Sequence, residues 1–510
     1  MDAHGPAPVY PSTVGAVLRR TAGRLPCRLA LTFADRRWTY AELDRGADRV
    51  AAALLALGLA HGDRVAAFGK NSDAYLLLYL GCARAGLVHV PVNYALTGEE
   101  LAYLLEQSGS RAVLHDPALA EPLEAVRGDR TALALRDAGD SLLERARAGD
   151  VPAIDHDARD EDLVQLLYTS GTTSRPKGAM MTHRALVHEY ASCIVALEMT
   201  EADEPLHCMP LYHSAGMHVF LLPYLAVGAA NALMEAPDVP EILRRIEADG
   251  TGALFLAPTV WVPLANHPDL DTRDLSALRK AFYGASIMPV PILKRLQERL
   301  PELRFYNCFG QSEIAPLATV LRPEEHAARP DSCGRSVLFV ELRVVDQDTG
   351  EEVEADGVGE VIYRSPQLCT GYWDDEEATA EAFRDGWFHS GDLVRRDAEG
   401  YIFVVDRIKD VINTGGVLVA SREVEDALYT HPAVAEVAVI ATPDERWIEA
   451  VCAVVVTKED VSAEDLIAHA RGSLAGYKVP KRVEFASELP RNASGKLLKR
   501  VLRDEILQNG

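Results

Sequence analysis

Tyr168-Thr169-Ser170-Gly171-Thr172-Thr173-Ser174-Arg175-Pro176-Lys177-Gly178 is the strongest local signal in the chain. It follows the apolar run Leu163 to Leu167, so it reads as a buried strand opening into a loop of hydroxyls, glycine and one lysine. Backbone N–H groups, short hydroxyls and an ammonium together suit a polyphosphate. The spacing is not that of the G-x-x-x-x-G-K-[ST] loop, which needs Gly where Pro176 stands and Ser or Thr where Gly178 stands.

On either side of this stretch the pattern is α/β. Thr39-Tyr40-Ala41-Glu42 has the form of a capping box, and Leu43, Ala47, Val50, Leu54 and Leu57 behind it define one helix face. Val65 to Phe68 and Val88 to Val92 read as buried strands flanking a helix from Tyr75 to Arg84. Ala253 to Leu256 and Ala281 to Tyr283 continue the alternation. From about Ser336 the texture changes to strands with glycine turns, predicted over Leu338 to Val345, Gly359 to Arg364 and Tyr401 to Val405. The last hundred residues form their own unit. A helix begins after Ser421, strands follow at Val434 to Ile440 and Val451 to Val456, and Ser462 caps another helix. The boundary is placed near Asp406 to Lys409, dividing the chain into 1–406 and 407–510.

A chain of 510 residues exceeds one compact core, in keeping with this division. Its 52 Lys and Arg against 76 Asp and Glu leave a net charge of −24, a field that repels nucleic acid and anionic membrane. No nucleic-acid partner is expected. The eight cysteines include no C-x-x-C pair, so neither a zinc site nor a disulfide framework is indicated. The N-terminal residues lack the basic start and apolar run of a signal peptide. The most apolar stretch, Phe220 to Ala230, is about half the ~20 residues that cross a bilayer. A cytoplasmic protein without a transmembrane segment is expected.

Four later motifs carry chemistry in a fixed order. Phe309-Gly310-Gln311-Ser312-Glu313 sets a hydroxyl beside a carboxylate, hard oxygens suited to Mg²⁺ and phosphate. Trp387-Phe388-His389-Ser390-Gly391-Asp392-Leu393 presents a carboxylate able to accept both hydroxyls of a ribose. Asp406-Arg407-Ile408-Lys409-Asp410 is a charged hinge, and Pro490-Arg491-Asn492-Ala493-Ser494-Gly495-Lys496 puts a lysine on a tight turn. H-E-x-x-H, G-x-S-x-G and G-x-G-x-x-G are all absent, which argues against metalloprotease, α/β-hydrolase and dinucleotide-binding dehydrogenase.

Together these motifs resemble the adenylate-forming superfamily of acyl-CoA synthetases, peptide-synthetase adenylation domains and beetle luciferases, from about Trp38 to Lys496. The resemblance implies a multi-domain α/β fold. A large N-terminal domain of α/β subdomains plus a β-barrel would be followed by a small mobile α+β C-terminal domain. It further implies activation of a carboxylic acid by ATP to acyl-AMP, with release of pyrophosphate and transfer to a thiol. Carried over by residue, Thr169, Ser170, Gly171, Thr172, Thr173 and Lys177 would hold the β and γ phosphates. Gly284, Ala285, Asn307 and Phe309 would line the adenine slot, and Gly310 would border both nucleotide and acid. Ser312 would touch the α-phosphate, Glu313 would hold Mg²⁺, and Asp392 with Arg407 would grip the ribose. Lys409 would be the hinge, and Lys496 would neutralise charge between carboxylate and α-phosphate.

Two positions and one stretch depart from the family pattern: Ser174 and Asn413 replace a usual Gly and Lys, and Gly415-Gly416-Val417-Leu418-Val419-Ala420-Ser421 replaces Gly-Gly-Glu-Asn-Val-x-Pro. Gly415 and Gly416 would border the thiol tunnel, so free CoA and the phosphopantetheine arm of an acyl carrier protein both remain as acceptors. The cluster Lys478, Lys481, Arg482, Arg491, Lys496, Lys499, Arg500 and Arg503 offers positive charge to either. Amino-acid-activating relatives carry an Asp where this chain has Tyr212-His213-Ser214, so an amino acid is disfavoured. His213 aligns with a gate beside the acyl pocket, and Gly216, Met217 and Tyr283 belong to an apolar wall. Relatives specific for acetate have Trp in place of Gly310. A medium- or long-chain fatty acid is therefore expected, with an aryl acid as the alternative. A non-catalytic protein that kept the fold is disfavoured by the presence of Glu313, Asp392, Arg407 and Lys496.

Overall fold

Thr39 opens the first long helix, Tyr40–Ala56, as a full capping box. Its hydroxyl accepts the Glu42 N–H at 3.3 Å and the Glu42 carboxylate accepts the Thr39 N–H at 2.8 Å. Leu43, Ala47, Val50 and Leu54 are buried as the periodicity predicts. They pack against helix Asp73–Ala85 at a point where a Cβ on Gly81 would lie 2.3 Å from Val50 Cγ1, so glycine sets how closely the helices approach. The computed structural model describes residues 12–151, 153–154, 159–169, 175–286, 288–414, 417–444, 448–491 and 497–509.

Contacts divide these residues into two units. The first comprises the described residues up to Glu341 together with Arg364–Gly386. It holds two sheets. One has six strands in the order Thr131–Ala134, Ser110–His115, Arg64–Phe68, Val88–Val92, Leu163–Thr169 and Lys177–Thr182. All neighbours are parallel except the last pair. The central strand feeds both faces: Val65 and Ala67 join the core formed with Tyr75 and Leu78, and Ala66 and Phe68 join Leu101, Leu104 and Leu105. That two-sided burial explains why the parallel strands read as continuous apolar runs. The other sheet has nine strands, with Leu29–Phe33, Asn231–Leu233, Pro205–His207, Ala253–Leu256, Lys280–Gly284 and Arg304–Gly310 parallel at its centre. Antiparallel strands finish it, Arg36–Thr39 at one edge and Leu317–Leu321 with Arg335–Ser336 at the other.

The second unit comprises Leu342–Tyr363 and the described residues from Trp387 onward. Strand Trp387–Arg396 pairs antiparallel with Val358–Arg364 on one side and Ile402–Arg407 on the other. A separate sheet follows, built on the long antiparallel pair Val434–Asp444 and Ile448–Thr457. Val437, Val439, Val451 and Val455 face helices Ser421–Tyr429 and Ala463–Arg471, while Ala438, Ile440, Cys452 and Val454 meet Leu502 of the last helix.

The strand predicted over Leu338 to Val345 is shorter, Glu341–Val345, because Leu338 and Phe339 form a turn. Among the described residues no helix is long and apolar enough to cross a membrane.

Asp73 ties the edge hairpin of the nine-stranded sheet to the helix behind it. Fully buried, it accepts two hydrogen bonds from Arg36 (2.7 and 2.8 Å) and one from the Trp38 indole (2.9 Å). Removing one partner of a buried pair strands the other, so Asp73→Ala is expected to cost about 3–5 kcal/mol. Equilibrium urea unfolding checks this, and a loss under about 1 kcal/mol, the range of surface pairs, would contradict it.

Candidate active site

Lys177 is the first residue of its strand and stands opposite Thr169 across the ladder. Ser170, Gly171, Thr172 and Thr173 lie outside the described residues. The Lys177 ammonium lies 4.0 Å from Asp375 and 5.4 Å from the centre of the Tyr372 ring. Segment 369–373 runs beside this strand: Met180 N–H donates to Gly371 O (2.9 Å), Thr370 N–H to Met180 O (3.0 Å) and Trp373 N–H to Gly178 O (2.8 Å). The same segment reaches the Gln311-Ser312-Glu313 loop. Cys369 N–H donates to Glu313 O at 2.8 Å, and the Tyr372 hydroxyl donates to Glu313 Oε1 at 3.1 Å.

Glu313 is buried, and among the described residues no cation pairs with it. Ser312 Oγ lies 3.0 Å from Ser214 Oγ, which brings the His213 segment to the same loop. The loop's far end is held by Glu189, wholly buried in helix His183–Ala196. Its carboxylate accepts Leu317 N–H (2.9 Å) and Gln367 Nε2–H (2.6 Å). Burial drives the Glu189 pKa well above the usual carboxylate range. Among the described residues no three His, Cys, Asp or Glu side chains gather as a metal cage. One buried carboxylate beside a hydroxyl matches Mg²⁺, which is bound through one or two carboxylates plus substrate phosphates.

The expected adenine residues lie at the ends of adjacent strands. Gly284 pairs with Cys308, so a Cβ on Gly284 would sit 2.1 Å from Cys308 O. Ala285 is exposed with φ +62°, a left-handed conformation that costs an L-residue about 1–2 kcal/mol. Asn307 donates to Ser332 O at 2.9 Å, and Phe309 lies opposite Thr319. At Gly310 a Cβ would lie 2.0 Å from Pro316 O. In this chain's backbone glycine is therefore favoured at 310 by close approach as well as by any need for room beside the acid.

The residues assigned to the acid separate. His213 is half-buried, and Gly216 lies where a Cβ would meet Pro210 O at 2.8 Å. Gly216 belongs to a π-helix, Ala215–Leu221, a local widening frequent at functional sites. Met217 turns into the core, its sulfur 3.8 Å from Gln165 Nε2. Phe220 stacks on Phe255 (centroids 4.3 Å apart, planes at 16°) and lies 5.1 Å from Phe282. Tyr283 faces another core, with Trp261 and Phe305, and donates its hydroxyl to His326 Nε2 at 3.0 Å.

In the second unit Asp392 and Arg407 are cross-strand neighbours joined by an ion pair. Glu360 supports the bulged stretch of strand before Asp392: it accepts Gly391 N–H at 2.9 Å and lies 2.8 Å from His389 Nδ1. Lys409 is exposed in the short turn Ile408–Asp410. Gly415, Gly416 and Lys496 lie outside the described residues. Much of the basic cluster is already paired, Lys478 with Glu423, Arg482 with Glu484, Arg491 with Glu436 and Lys499 with Glu425.

Tyr372, Glu189 and Glu360 escape the sequence reading. Each is an ordinary residue whose partner is remote in the chain, and none belongs to a spaced motif.

Residues 18–373 match the family described as AMP-binding enzyme, and residues 423–496 its C-terminal domain. The chain is 38% identical to a feruloyl-CoA synthase of Amycolatopsis sp, covering 95% of this chain and 97% of that one. It is 33% identical to a long-chain-fatty-acid–CoA ligase of Mycobacterium tuberculosis, covering 96% and 98%. The ATP-bound crystal structure of MatB from Rhodopseudomonas palustris superposes with a TM-score of 0.90 at 31% identity, covering 97% and 99%.

Because Glu360 holds the bulged strand that leads to Asp392, the residue expected to grip the ribose, Glu360→Ala is expected to raise the KM for ATP about tenfold, the effect of losing a hydrogen bond to a charged group. The KM for the acid should stay within twofold. Initial-rate kinetics in both substrates check this, and an equal rise in both would assign Glu360 a general structural role.

Proposed function

The chain belongs to the AMP-binding enzyme family, and from that premise we propose that it is an AMP-forming ligase joining an aromatic carboxylic acid to the thiol of CoA. The observation that carries the aromatic reading is the packing behind Gly216. Met217 is buried against Gln165, and Phe220 stacks on Phe255 and packs at a tilt against Phe282. A long alkyl chain would have to displace that packing, at a cost of order 1–3 kcal/mol for off-rotamer side chains. A flat ring, being shorter, would leave that packing in place. Likeness to the feruloyl-CoA synthase supports the same reading. A medium- or long-chain fatty acid is the second reading, favoured by likeness to the long-chain-fatty-acid–CoA ligase.

In this reading residues 1–406 hold ATP and acid, and 407–510 bring Lys496 to them by rotation about Lys409. Thr169, Ser170, Gly171, Thr172, Thr173 and Lys177 cradle the β and γ phosphates. Gly284, Ala285, Asn307, Phe309 and Gly310 border the adenine, and Asp392 with Arg407 holds the ribose. Glu313 holds Mg²⁺, which when bound neutralises phosphate oxygens. A carboxylate oxygen of the acid attacks the α-phosphorus, the new O–P bond forms, and pyrophosphate leaves. Ser312 contacts the α-phosphate, and Lys496 offsets the charge gathering between carboxylate and phosphorus. The thiol then attacks the acyl carbonyl past Gly415 and Gly416, and AMP leaves with the electrons of the C–O bond. The basic cluster, largely paired, does not separate CoA from a carrier protein, and likeness to the feruloyl-CoA synthase and the long-chain-fatty-acid–CoA ligase supports CoA as the acceptor.

ATP–pyrophosphate exchange and CoA-ester formation across a panel of acids test this. Arylpropenoic acids are expected to exceed octanoate and palmitate at least tenfold in kcat/KM. Equal or better rates with palmitate would replace the aromatic reading by the fatty-acid one. Phe220→Ala should narrow that gap several-fold by opening the packing, with about 3–5 kcal/mol of stability lost. Lys496→Ala is expected to slow acyl-AMP formation by about 10²–10³ while sparing transfer from supplied acyl-AMP. Equal loss of both half-reactions would refute that division of labour.

A further inference from the structure

Tyr372 stands between two groups that the reaction needs on the same phosphates. Its hydroxyl donates to Glu313 Oε1 at 3.1 Å, and the Lys177 ammonium lies 5.4 Å from its ring centre. The residue is itself held: its N–H donates to Thr379 Oγ1 at 2.9 Å, and its neighbours Gly371 and Trp373 bond to the Lys177 strand. Accepting the adenylation reading above, we infer that Tyr372 is a positioning residue for Mg²⁺–nucleotide binding, aiming the Glu313 carboxylate and the Lys177 ammonium at one polyphosphate.

The chemistry follows from the two ends of the side chain. Among the described residues Glu313 has no cationic partner, so a donor on Oε1 is what selects its rotamer and leaves Oε2 for a metal. Carboxylates that ligate metals are commonly oriented by such an outer hydrogen bond, whose loss costs about 10–100-fold in affinity or activity. The ring offers the ammonium a face to which it is drawn without a fixed direction. Lys177 can therefore leave Asp375, 4.0 Å away, for a phosphate and keep its aromatic contact. The two ends are separable by substitution, because Phe keeps the ring and loses the hydroxyl.

Calorimetric titration of ATP without acid, once with Mg²⁺ and once with EDTA, decides the matter. In Tyr372→Phe the gain in affinity conferred by Mg²⁺ should fall about tenfold, with the EDTA affinity unchanged. In Tyr372→Leu the EDTA affinity should fall as well, about threefold, as the ammonium loses the ring. A merely structural role would lower both affinities together in Tyr372→Phe. Glu313→Gln combined with Tyr372→Phe should lose no more of the Mg²⁺ effect than Glu313→Gln alone. An unchanged Mg²⁺ effect in Tyr372→Phe, or additive losses in the double variant, would overturn the inference. Absence of acid-dependent pyrophosphate exchange in the unaltered protein would defeat the adenylation reading, while the calorimetric comparison would still decide the role of Tyr372.

Discussion

Main-chain hydrogen bonds from segment 369–373 hold two distant stretches in one register, and the proposed phosphate and metal site of the first unit is built on them. Gly371 and Trp373 add to the edge of the strand that starts at Lys177, and Cys369 takes the carbonyl of Glu313. An edge strand left bare would expose unpaired N–H and C=O groups, and here they are satisfied from within the chain. Gln367 extends the same clamp inward. Its amide donates to Glu189 and to Leu317 O (3.2 Å) and accepts the Ser192 hydroxyl (2.5 Å). The Ser312–Glu313 loop is thus fixed at both ends by buried polar contacts. Wholly satisfied networks of this kind specify one geometry, and a half-satisfied one would be costly.

A second buried network lies behind the π-helix and has a different character. His218 donates from Nε2 to Gln165 Oε1 (2.6 Å) and accepts the Tyr190 hydroxyl at Nδ1 (3.1 Å). Gln165 in turn donates to His89 Nδ1 at 3.0 Å. Burial pushes both imidazoles down to about 3, so they are neutral at any physiological pH. These histidines orient a core rather than move protons. They share Gln165 with Met217, so the wall assigned to the acid rests on a rigid, uncharged layer.

Charge is handled by local pairing. The chain carries −24 overall, yet the C-terminal lysines and arginines that look like a free basic face mostly meet their own carboxylates. Lys499 is the clearest case. It joins the last helix to Glu425 at 2.7 Å and to Ser421 Oγ at 2.5 Å, and Ser421 N–H reaches Asp406 at 2.5 Å beside the expected hinge. Such a chain of contacts spends the positive charge internally on joining helix, strand and linker.

Local rules made most of the fold legible. The capping box at Thr39, the buried runs at Val65 and Val88 and the Ser462 cap were readable because each depends on residues within a few positions of one another. The strand expected from Leu338 failed because an apolar run does not say where a turn interrupts it. In the site, the juxtaposition of Asp392 with Arg407 and of Ser312 with Glu313 follows the order of the motifs. The sequence alone determined the family resemblance, the α/β alternation and the residue types suited to nucleotide and metal, since those reside in short, spaced motifs. Only the tertiary structure decided that Tyr372 contacts both Lys177 and Glu313, and that a Cβ at Gly310 would press on the main chain at Pro316. It also turned Tyr283 toward His326, away from Phe220. Each of those outcomes rests on contacts between segments far apart in the chain, and no local periodicity or spacing encodes which distant atom a side chain will touch.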